Sequence, residues 1–455
     1  MAGNKKKRVY HRPHAQKPSY QRPVRLSQCM IVKNEEKNIV KALSWAKKIA
    51  YEQIVVDTGS TDRTVEIAES MGAKVYHFEW INDFSAAKNY AIEQAKGDWI
   101  AFLDADEYFM EEDVEKILPL LKHIEADPKL SKMQTAITCP IVNLDDDGKP
   151  FFVITQNRIF KNAPKIRFSG SIHEELELDE EGLSVTDITI VHTGYAKSVF
   201  ENTDKAERNI TLIRDALYKE PENANLKAYL ADSLHARGSE QDMVEVGMLY
   251  RDLVYNEQDM YKELKQRAYS YLIAVDYDIE EKNAENLVLC RRAYEEFPKN
   301  PDFCYYYGSK LRLNGNYLQA KDRFIECENL LKQSSIELAG YLLKNSVLLF
   351  FQMVLTAEAL GDLDEIIRCA TLALKEDKYQ PGMLAPYIQA FNRQGYKASA
   401  DDILSLLEKL YDFNNPKDKI AVMRGAKDAG NMELVGKVLS KFTSDELTWL
   451  AEGLM

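Results

Sequence analysis

Three carboxylates stand within four residues at the end of one apolar run. Asp104, Asp106 and Glu107 directly follow residues 99–103, which are largely apolar and predict a buried strand of a parallel sheet. Because a carboxylate is costly to bury without partners, these acids should emerge where the strand leaves the sheet. Open α/β sheets bind ligands at that edge, and Asp-x-Asp spacing can bring two carboxylates to one Mg²⁺ or Mn²⁺ ion. The alternative is a solvated turn.

Other residues suited to chemistry also lie near predicted strand ends. Asp57 follows the apolar residues 54–56 and can accept a hydrogen bond from a base or a ribose, or else cap the next helix. Lys88, one turn into a predicted helix, can pair with a diphosphate oxygen or remain solvated. His192 lies in a strand-like segment, residues 189–195, and is either a ligand or an ordinary core or surface histidine.

The elements that must position these residues alternate between strand and helix. The expected strands cover residues 25–32, 54–56, 74–78 and 99–103, and the expected helices run from Asn34, from residues 61 to 70 and from residues 85 to 96. This order predicts a parallel sheet covered by helices on both faces. From residue 135 the chain is more strand-like, with strands expected over residues 135–142, 151–155 and 157–160 and a hairpin turn at residues 145–148. No Gly-x-Gly-x-x-Gly or Walker lysine motif is present, which disfavours a dinucleotide or P-loop site.

Composition limits the class of protein. The 455 residues carry a net charge of −13, which argues against general nucleic-acid binding. Residues 1–25 contain eight Lys or Arg and no Asp or Glu, so we expect a disordered basic arm and not a signal peptide. The six cysteines form no CxxC pair and are expected to be buried thiols in a reducing compartment. No apolar stretch is long enough for a transmembrane segment, so we expect a cytoplasmic protein.

Helical periodicity replaces strand signals from residue 207 onward. Gly361, Gly395 and Gly430 recur with a spacing of about 34 residues, each near the middle of a helix–turn–helix pattern, and this period is typical of tetratricopeptide repeats. Gly238 and Gly315 extend the pattern toward the N-terminus. Such repeats stack into a solenoid whose surface commonly binds a polypeptide. Homodimerisation and a purely structural role are the alternatives.

Six motifs together resemble the family 2 glycosyltransferases. The branch that fits best contains the lipopolysaccharide-core glucosyltransferases and the sublancin-type peptide S-glycosyltransferases. The motifs are Met-Ile-Val-Lys-Asn-Glu-Glu at 30–36, Val-Asp-Thr-Gly-Ser-Thr-Asp at 56–62, Asn-Asp-Phe-Ser-Ala-Ala-Lys-Asn at 82–89, Asp-Ala-Asp-Glu at 104–107, Gly-x-x-His-Glu at 170–174 and His-x-Gly-Tyr at 192–195.

The resemblance implies an α/β GT-A domain, mainly a parallel sheet, over residues 26–205, followed by an all-α tetratricopeptide-like domain over residues 206–455. It also implies a UDP-sugar donor, a Mg²⁺ or Mn²⁺ ion and inversion at the anomeric carbon. Many family members have Arg where this chain has Lys88, which weakens the diphosphate role there because Lys lacks the bidentate fork. By the resemblance, the donor-binding residues are Val32, Asn34, Glu35, Asp57, Lys88, Asp104, Ala105 and Asp106, and the metal ligands are Asp106 and His192.

An inverting displacement needs a base on the face opposite the leaving group. We assign Glu174 to this role, with Glu175 second, because both lie in the loop expected after the Asp-x-Asp strand. If they lie on a strand, adjacent residues face opposite sides and only one of them can face the acceptor. The alternative is that both are surface acids. The leading interpretation is therefore transfer of a hexose to a Ser, Thr or Cys side chain of a polypeptide. A lipid-linked or lipopolysaccharide-core acceptor and a non-catalytic repeat adaptor are the other hypotheses.

Overall fold

The structure is a computed structural model, and it divides into two compact units. It describes residues 23–133, 135–145, 148–178, 183–185, 187–193, 203–256, 259–277, 279–333, 342, 345–393 and 398–451. Residues up to Met260 form one unit and residues from Tyr261 form the other. Several predictions fall outside the described residues, namely most of the basic arm, Asp146 and Asp147 of the hairpin turn, Gly194 and Tyr195 of the last motif, and Gly395.

The first unit is built on a mixed sheet with a parallel half. Strands β3, β2, β1 and β4 are parallel neighbours, and the antiparallel strand β7 joins β4 to the second half, which continues through β6, β11 and β5. The strands are β1 Leu26–Val32, β2 Glu52–Asp57, β3 Lys74–His77, β4 Trp99–Phe102, β5 Glu107–Phe109, β6 Ala136–Leu144, β7 Pro150–Lys161, β8 Phe168–Ser169, β9 Glu175–Leu176, β10 Leu183–Ser184 and β11 Ile190–His192. The α/β prediction for this part of the chain is confirmed.

Helices cover both faces of the parallel half. Met30, Val32 and Val55 are buried in the cluster that includes residues of α1 and α2, whereas Cys29 and Val56 are buried in the cluster that includes residues of α3. Since alternate residues of one strand point to opposite faces, both faces must be apolar, which explains the uninterrupted apolar runs in the sequence. The helices of this unit are α1 Ile39–Ser44, α2 Thr64–Ser70, α3 Phe84–Gln94, α4 Glu111–Ala126, α5 Leu130–Met133, α6 Thr203–Lys219, α7 Ala224–Arg237 and α8 Glu240–Tyr255.

Two local predictions were wrong. The first helix begins at Ile39 and not at Asn34. Asn34 adopts a left-handed conformation with φ of 58°, and its side-chain oxygen accepts a hydrogen bond from the Thr61 N–H in the loop after β2. Residues 151–155 and 157–160 belong to one continuous strand, β7. The short strand β5 was not predicted, and it pairs antiparallel with β11. The acids at residues 104–106 therefore lie in a tight turn between β4 and β5.

The second unit is all-helical in the residues that the structure describes, as predicted for this part of the chain. Within those same parts of both units, no helix combines the length and hydropathy needed to cross a membrane. All six cysteines are buried free thiols, as expected. The elements are α9 Lys262–Asp276, a 3₁₀ turn at Glu280–Lys282, α10 Asn283–Glu296, α11 Pro301–Leu313, α12 Tyr317–Gln333, α13 Val347–Leu360, α14 Leu363–Glu376, α15 Leu384–Asn392, α16 Ala400–Leu407, α17 Pro416–Asp428, α18 Met432–Leu439 and α19 Ser444–Ala451.

The predicted repeat glycines lie between paired helices. Gly238, Gly315, Gly361 and Gly430 have φ values of 79°, 75°, 70° and 72°. Each follows the first helix of a pair and precedes the second, in the pairs α7–α8, α11–α12, α13–α14 and α17–α18, and the helices of each pair pack together. A left-handed residue at this point ends a helix and lets the chain reverse, and glycine adopts it without a Cβ penalty. The helix–turn–helix prediction is confirmed at these positions.

Candidate active site

Two buried cations hold the first aspartate of the Asp-x-Asp turn. Lys88 Nζ on α3 lies 3.2 Å from Asp104 Oδ1, and Arg158 Nη2 on β7 lies 3.0 Å from Asp104 Oδ2. Arg158 also contacts Glu107 Oε1 at 2.5 Å. Burial opposes ionisation of Asp104, but the charges of Lys88 and Arg158 outweigh it and hold its pKa far below the usual range. Asp104 is therefore a fixed anion at the carboxyl edge of β4.

Lys88 also holds Glu174. Lys88 Nζ lies 2.7 Å from Glu174 Oε1, and the lysine is only 3% exposed. Burial alone would lower the pKa of Lys88, but the charges of Asp104 and Glu174 raise it above its ordinary value. Glu175 differs from its neighbour, because it lies on β9 and is exposed. The structure thus brings Glu174, and not Glu175, to the Asp-x-Asp turn.

The second aspartate of the turn meets the histidine at the end of β11. Asp106 Oδ2 lies 3.2 Å from His192 Nε2, and Asn143 Oδ1 lies 2.7 Å from His192 Nδ1. The sheet register produces this arrangement, since His192 pairs with Glu107 on one side and with Asn143 on the other. Burial would lower the pKa of His192, but its hydrogen bond to Asp106 and the nearby acids raise it.

The donor atoms at this point suit a divalent cation. With Nδ1 held by Asn143, the Nε2 atom of His192 faces the carboxylate of Asp106, and one carboxylate oxygen with one imidazole nitrogen is a set that Mn²⁺ accepts. In the described parts of the chain, no group of three or more His, Cys, Asp or Glu side chains is arranged to hold a metal. The two residues therefore fit a cation that completes its shell with ligand oxygens and water.

Asp57 organises the loop after β2. Its carboxylate accepts hydrogen bonds from the backbone N–H groups of Gly59 at 3.2 Å and Ser60 at 3.0 Å, and it lies 3.3 Å from His77 Nδ1. Burial raises the pKa of Asp57, but the hydrogen bonds from Ser60, Gly59 and His77 outweigh that effect and leave the pKa below its ordinary value. Asp57 therefore caps the turn at Gly59 and Ser60 and does not cap the following helix, which begins at Thr64.

The loops after β1 and β2 are tied to each other. Asn34 donates its backbone N–H to Ser60 Oγ at 2.9 Å and accepts from the Thr61 N–H at 2.8 Å. Glu35 donates its N–H to Thr64 Oγ1 at 2.7 Å. Burial raises the pKa of Glu35 and outweighs the opposing hydrogen bond from Asn38, and the charge of the nearby Asp106 adds to the increase. Val32 and Ala105, the remaining predicted donor-binding residues, are buried beside these loops in one cluster.

The segment that carries most of these residues matches a known protein family. Residues 27–133 match the model of a family described as "Glycosyl transferase family 2". The chain contains a family 2 glycosyltransferase domain. It is 34% identical over 223 residues to a TPR repeat-containing protein of Synechococcus elongatus, covering 47% of this chain and 53% of that protein. It is 30% identical over 221 residues to the SPbeta prophage-derived glycosyltransferase SunS of Bacillus subtilis, covering 48% of this chain and 50% of that protein.

The chain therefore spans about half the length of these curated relatives. Among solved structures, the chain aligns with S. aureus TarS 1-349 in complex with UDP-GlcNAc, at 16% identity and a TM-score of 0.32, covering 64% of this chain and 92% of that chain.

The motif at residues 82–89 holds residues 168–171, the segment that precedes Glu174. Ser85 Oγ donates to the Gly170 carbonyl at 2.6 Å, and the Phe84 N–H donates to the Ser171 carbonyl at 2.9 Å. The Asn89 side chain exchanges hydrogen bonds of 2.8 and 2.9 Å with the backbone of Phe168. The motif is thus a structural support for residues 168–171, with Lys88 between these contacts.

Sequence reasoning missed three residues of the site. Arg158, Glu107 and Asn143 are all buried and all contact a predicted site residue. Glu107 lay within the acidic motif but received no role. Arg158 lies within β7, directly before the apolar pair Ile159-Phe160, and a charged residue beside buried strand positions is a signal that could have identified it. Asn143 lies in an alternating strand and gives no such signal.

Proposed function

We propose that this protein transfers a hexose from a UDP-sugar to an acceptor, with inversion at the anomeric carbon. The observation that carries the proposal is the contact of Asp106 with His192 beside the fixed anion Asp104, at the carboxyl edge of β4 in a family 2 glycosyltransferase domain. Two carboxylates that differ in their partners suit two tasks at one site. Asp104 is ion-paired with Lys88 and Arg158, whereas Asp106 faces an imidazole and is suited to metal binding.

Asp106 and His192 are the residues that would hold Mg²⁺ or Mn²⁺. When bound, the cation offsets the negative charge that accumulates on the departing nucleoside diphosphate. Asn143 accepts a hydrogen bond at His192 Nδ1 and so fixes the ring orientation toward Asp106. The joined loops that contain Asn34, Glu35 and Asp57 would receive the uracil and the ribose, with Val32 and Ala105 buried beneath them.

Glu174 is assigned as the base that takes the proton of the acceptor. Its ion pair with Lys88 uses Oε1, so Oε2 is the atom assigned to receive the proton. We also assign Lys88 a different role from the diphosphate contact that the family resemblance implies. Lys88 is buried between Asp104 and Glu174, and it therefore fixes the distance between the donor side and the base.

The acceptor that we propose is a Ser, Thr or Cys side chain of a polypeptide. The support is the all-helical region that follows the catalytic sheet, since paired helices of this kind commonly bind extended peptides. A saccharide acceptor attached to a lipid is the competing proposal. Products separate the two, because transfer to a peptide adds the mass of one hexose to the peptide.

The test is release of UDP from UDP-glucose, UDP-galactose and UDP-N-acetylglucosamine by the purified full chain with Mn²⁺ or Mg²⁺. We expect metal-dependent release from one of these sugars, and we expect the Asp106→Asn variant to lose most of that rate. Asp215, an exposed acid on α6, provides the matched control, and Asp215→Asn should behave as the unmodified protein. Absence of both UDP release and UDP binding would favour the non-catalytic adaptor.

A further inference from the structure

An aromatic side chain of the helical region contacts the loop that carries the assigned base. The ring of Tyr229, on α7, stacks on the ring of His173, with centroids 3.6 Å apart and planes inclined by 9°. We propose that Tyr229 is a positioning residue that holds this loop in the conformation needed for sugar transfer. The proposal rests on the proposed function, because it assumes that Glu174 is the base.

The loop needs an external support because of its backbone. His173 has φ of 51°, in the left-handed region, and in the described parts of the chain it shares a positive φ with only two other non-glycine residues, Asn34 and Asn82. Asparagine tolerates this conformation better than most side chains. A strained residue of this kind persists only when its surroundings determine it, and functional loops are where such residues cluster. The stacked ring of Tyr229 supplies such a surrounding at His173.

Glu174 follows His173 directly, so a change in the backbone conformation at His173 would displace the Glu174 carboxylate. The N-terminal side of the loop is held by Ser85 Oγ at the Gly170 carbonyl, and Ile172 is buried. Glu174 is held by Lys88 at 2.7 Å. His173 lies in sequence between Gly170 and Glu174, the two residues held by these contacts. Its stack with Tyr229 therefore fixes the backbone between them.

A second contact connects the neighbouring helix α6 to Phe84, whose backbone holds the same loop. Arg208 on α6 places its guanidinium carbon 5.5 Å from the ring centroid of Phe84, whose backbone N–H donates to the Ser171 carbonyl. Helices α6 and α7 pack against each other and belong to the same compact unit as the sheet. The two contacts therefore assign this helix pair to the support of the catalytic loop, and not only to acceptor binding.

The experiment compares Tyr229→Ala with Tyr229→Phe in the full chain. Tyr218, on α6 and 89% exposed, gives the matched control Tyr218→Ala. The readouts are amide hydrogen exchange of a peptide spanning residues 168–176, UDP binding, and the rate of UDP release from the UDP-sugar that the unmodified protein uses. We expect Tyr229→Ala to raise exchange in this peptide and lower kcat by about tenfold, with the KM for the donor and the affinity for UDP unchanged. Tyr229→Phe keeps the ring and should match the unmodified protein.

A second variant serves if Tyr229→Ala fails to fold. His173→Asn keeps a side chain that tolerates the left-handed conformation but removes the ring, and it should reproduce the effects expected of Tyr229→Ala. Unchanged exchange of residues 168–176 in either variant overturns the proposal, and so does a defect in Tyr229→Phe equal to that of Tyr229→Ala. The hydrogen-exchange result requires no turnover. It therefore tests the Tyr229–His173 contact separately from the assignment of Glu174 as the base. That assignment is wrong if Glu174→Gln releases UDP at the unmodified rate.

Discussion

Replacing Lys88 by methionine removes the cation that joins the two sides of the site. Lys88 Nζ lies 3.2 Å from Asp104 and 2.7 Å from Glu174, and the side chain is 4% exposed. Removing one partner of a buried ion pair costs about 3–5 kcal/mol. The cost is smaller here because Asp104 is 41% exposed and keeps its contact with Arg158. We therefore expect the free energy of unfolding of the first unit to fall by about 2 kcal/mol.

The assay must report on the first unit alone. Three of the four tryptophans, Trp45, Trp80 and Trp99, lie in that unit, and Trp449 lies in the second. In a Trp449→Phe background, urea unfolding followed by tryptophan fluorescence therefore measures the unit that contains Lys88. Lys88→Arg is the matched control, since it keeps the charge, and it should retain most of the stability and of the UDP-release rate.

Equal stability of the two variants would contradict the proposed role of Lys88 in holding the site together. If Lys88→Met unfolds within about 0.5 kcal/mol of Lys88→Arg, the buried cation does not hold the two carboxylates. A normal rate of UDP release in Lys88→Met would remove the assigned positioning role as well.

Three further predictions concern stability, pH and metal binding. A Cβ at Gly425 would lie 2.5 Å from a leucine side chain, so Gly425→Ala should cost about 1–3 kcal/mol, whereas Gly436→Ala enters open space and should gain about 0.5–1 kcal/mol in thermal unfolding. The folded pKa of Asp57 is lowered, so its stabilisation is present above about pH 4 and is lost as pH falls; Asp57→Asn should flatten that acid-side loss in urea unfolding. Asn143→Ala leaves His192 Nδ1 without that acceptor and should weaken Mn²⁺ binding about tenfold in calorimetry with UDP.

The strands that carry the site were predictable from local sequence. Runs rich in apolar residues predicted β1 to β4 within a few residues, because strands covered by helices on both faces bury apolar side chains toward each face. The helix signals failed at Asn34, where the first helix was expected to begin. Its side chain bonds to the Thr61 N–H of another loop, and that partner is set by the parallel pairing of β1 with β2.

The contacts of Lys88 and Arg158 with Asp104 could not be predicted, because they depend on which elements are neighbours in the fold. Arg158 reaches Asp104 only because β7 pairs antiparallel with β4, and a pairing between distant segments leaves no local mark in the sequence. Lys88 was expected at a diphosphate or in solvent, yet its carboxylate partner Glu174 lies far along the chain. Tyr229 is similar, since its helix carries an ordinary packing pattern and only the fold brings it to His173.

Equilibrium binding of UDP is the measurement that bears first on the proposed nucleotide-sugar site, because it requires neither the correct sugar nor an acceptor. We expect UDP to bind the full chain in the presence of Mn²⁺ and chelation of the metal to weaken binding. Asp106→Asn should weaken binding comparably, whereas Asp215→Asn should not. Failure of UDP to bind with Mn²⁺ present would contradict the assignment of this sheet edge as a nucleotide-sugar site. Binding that is equally tight with Mn²⁺, with chelator and in Asp106→Asn would contradict the metal role of Asp106 and His192.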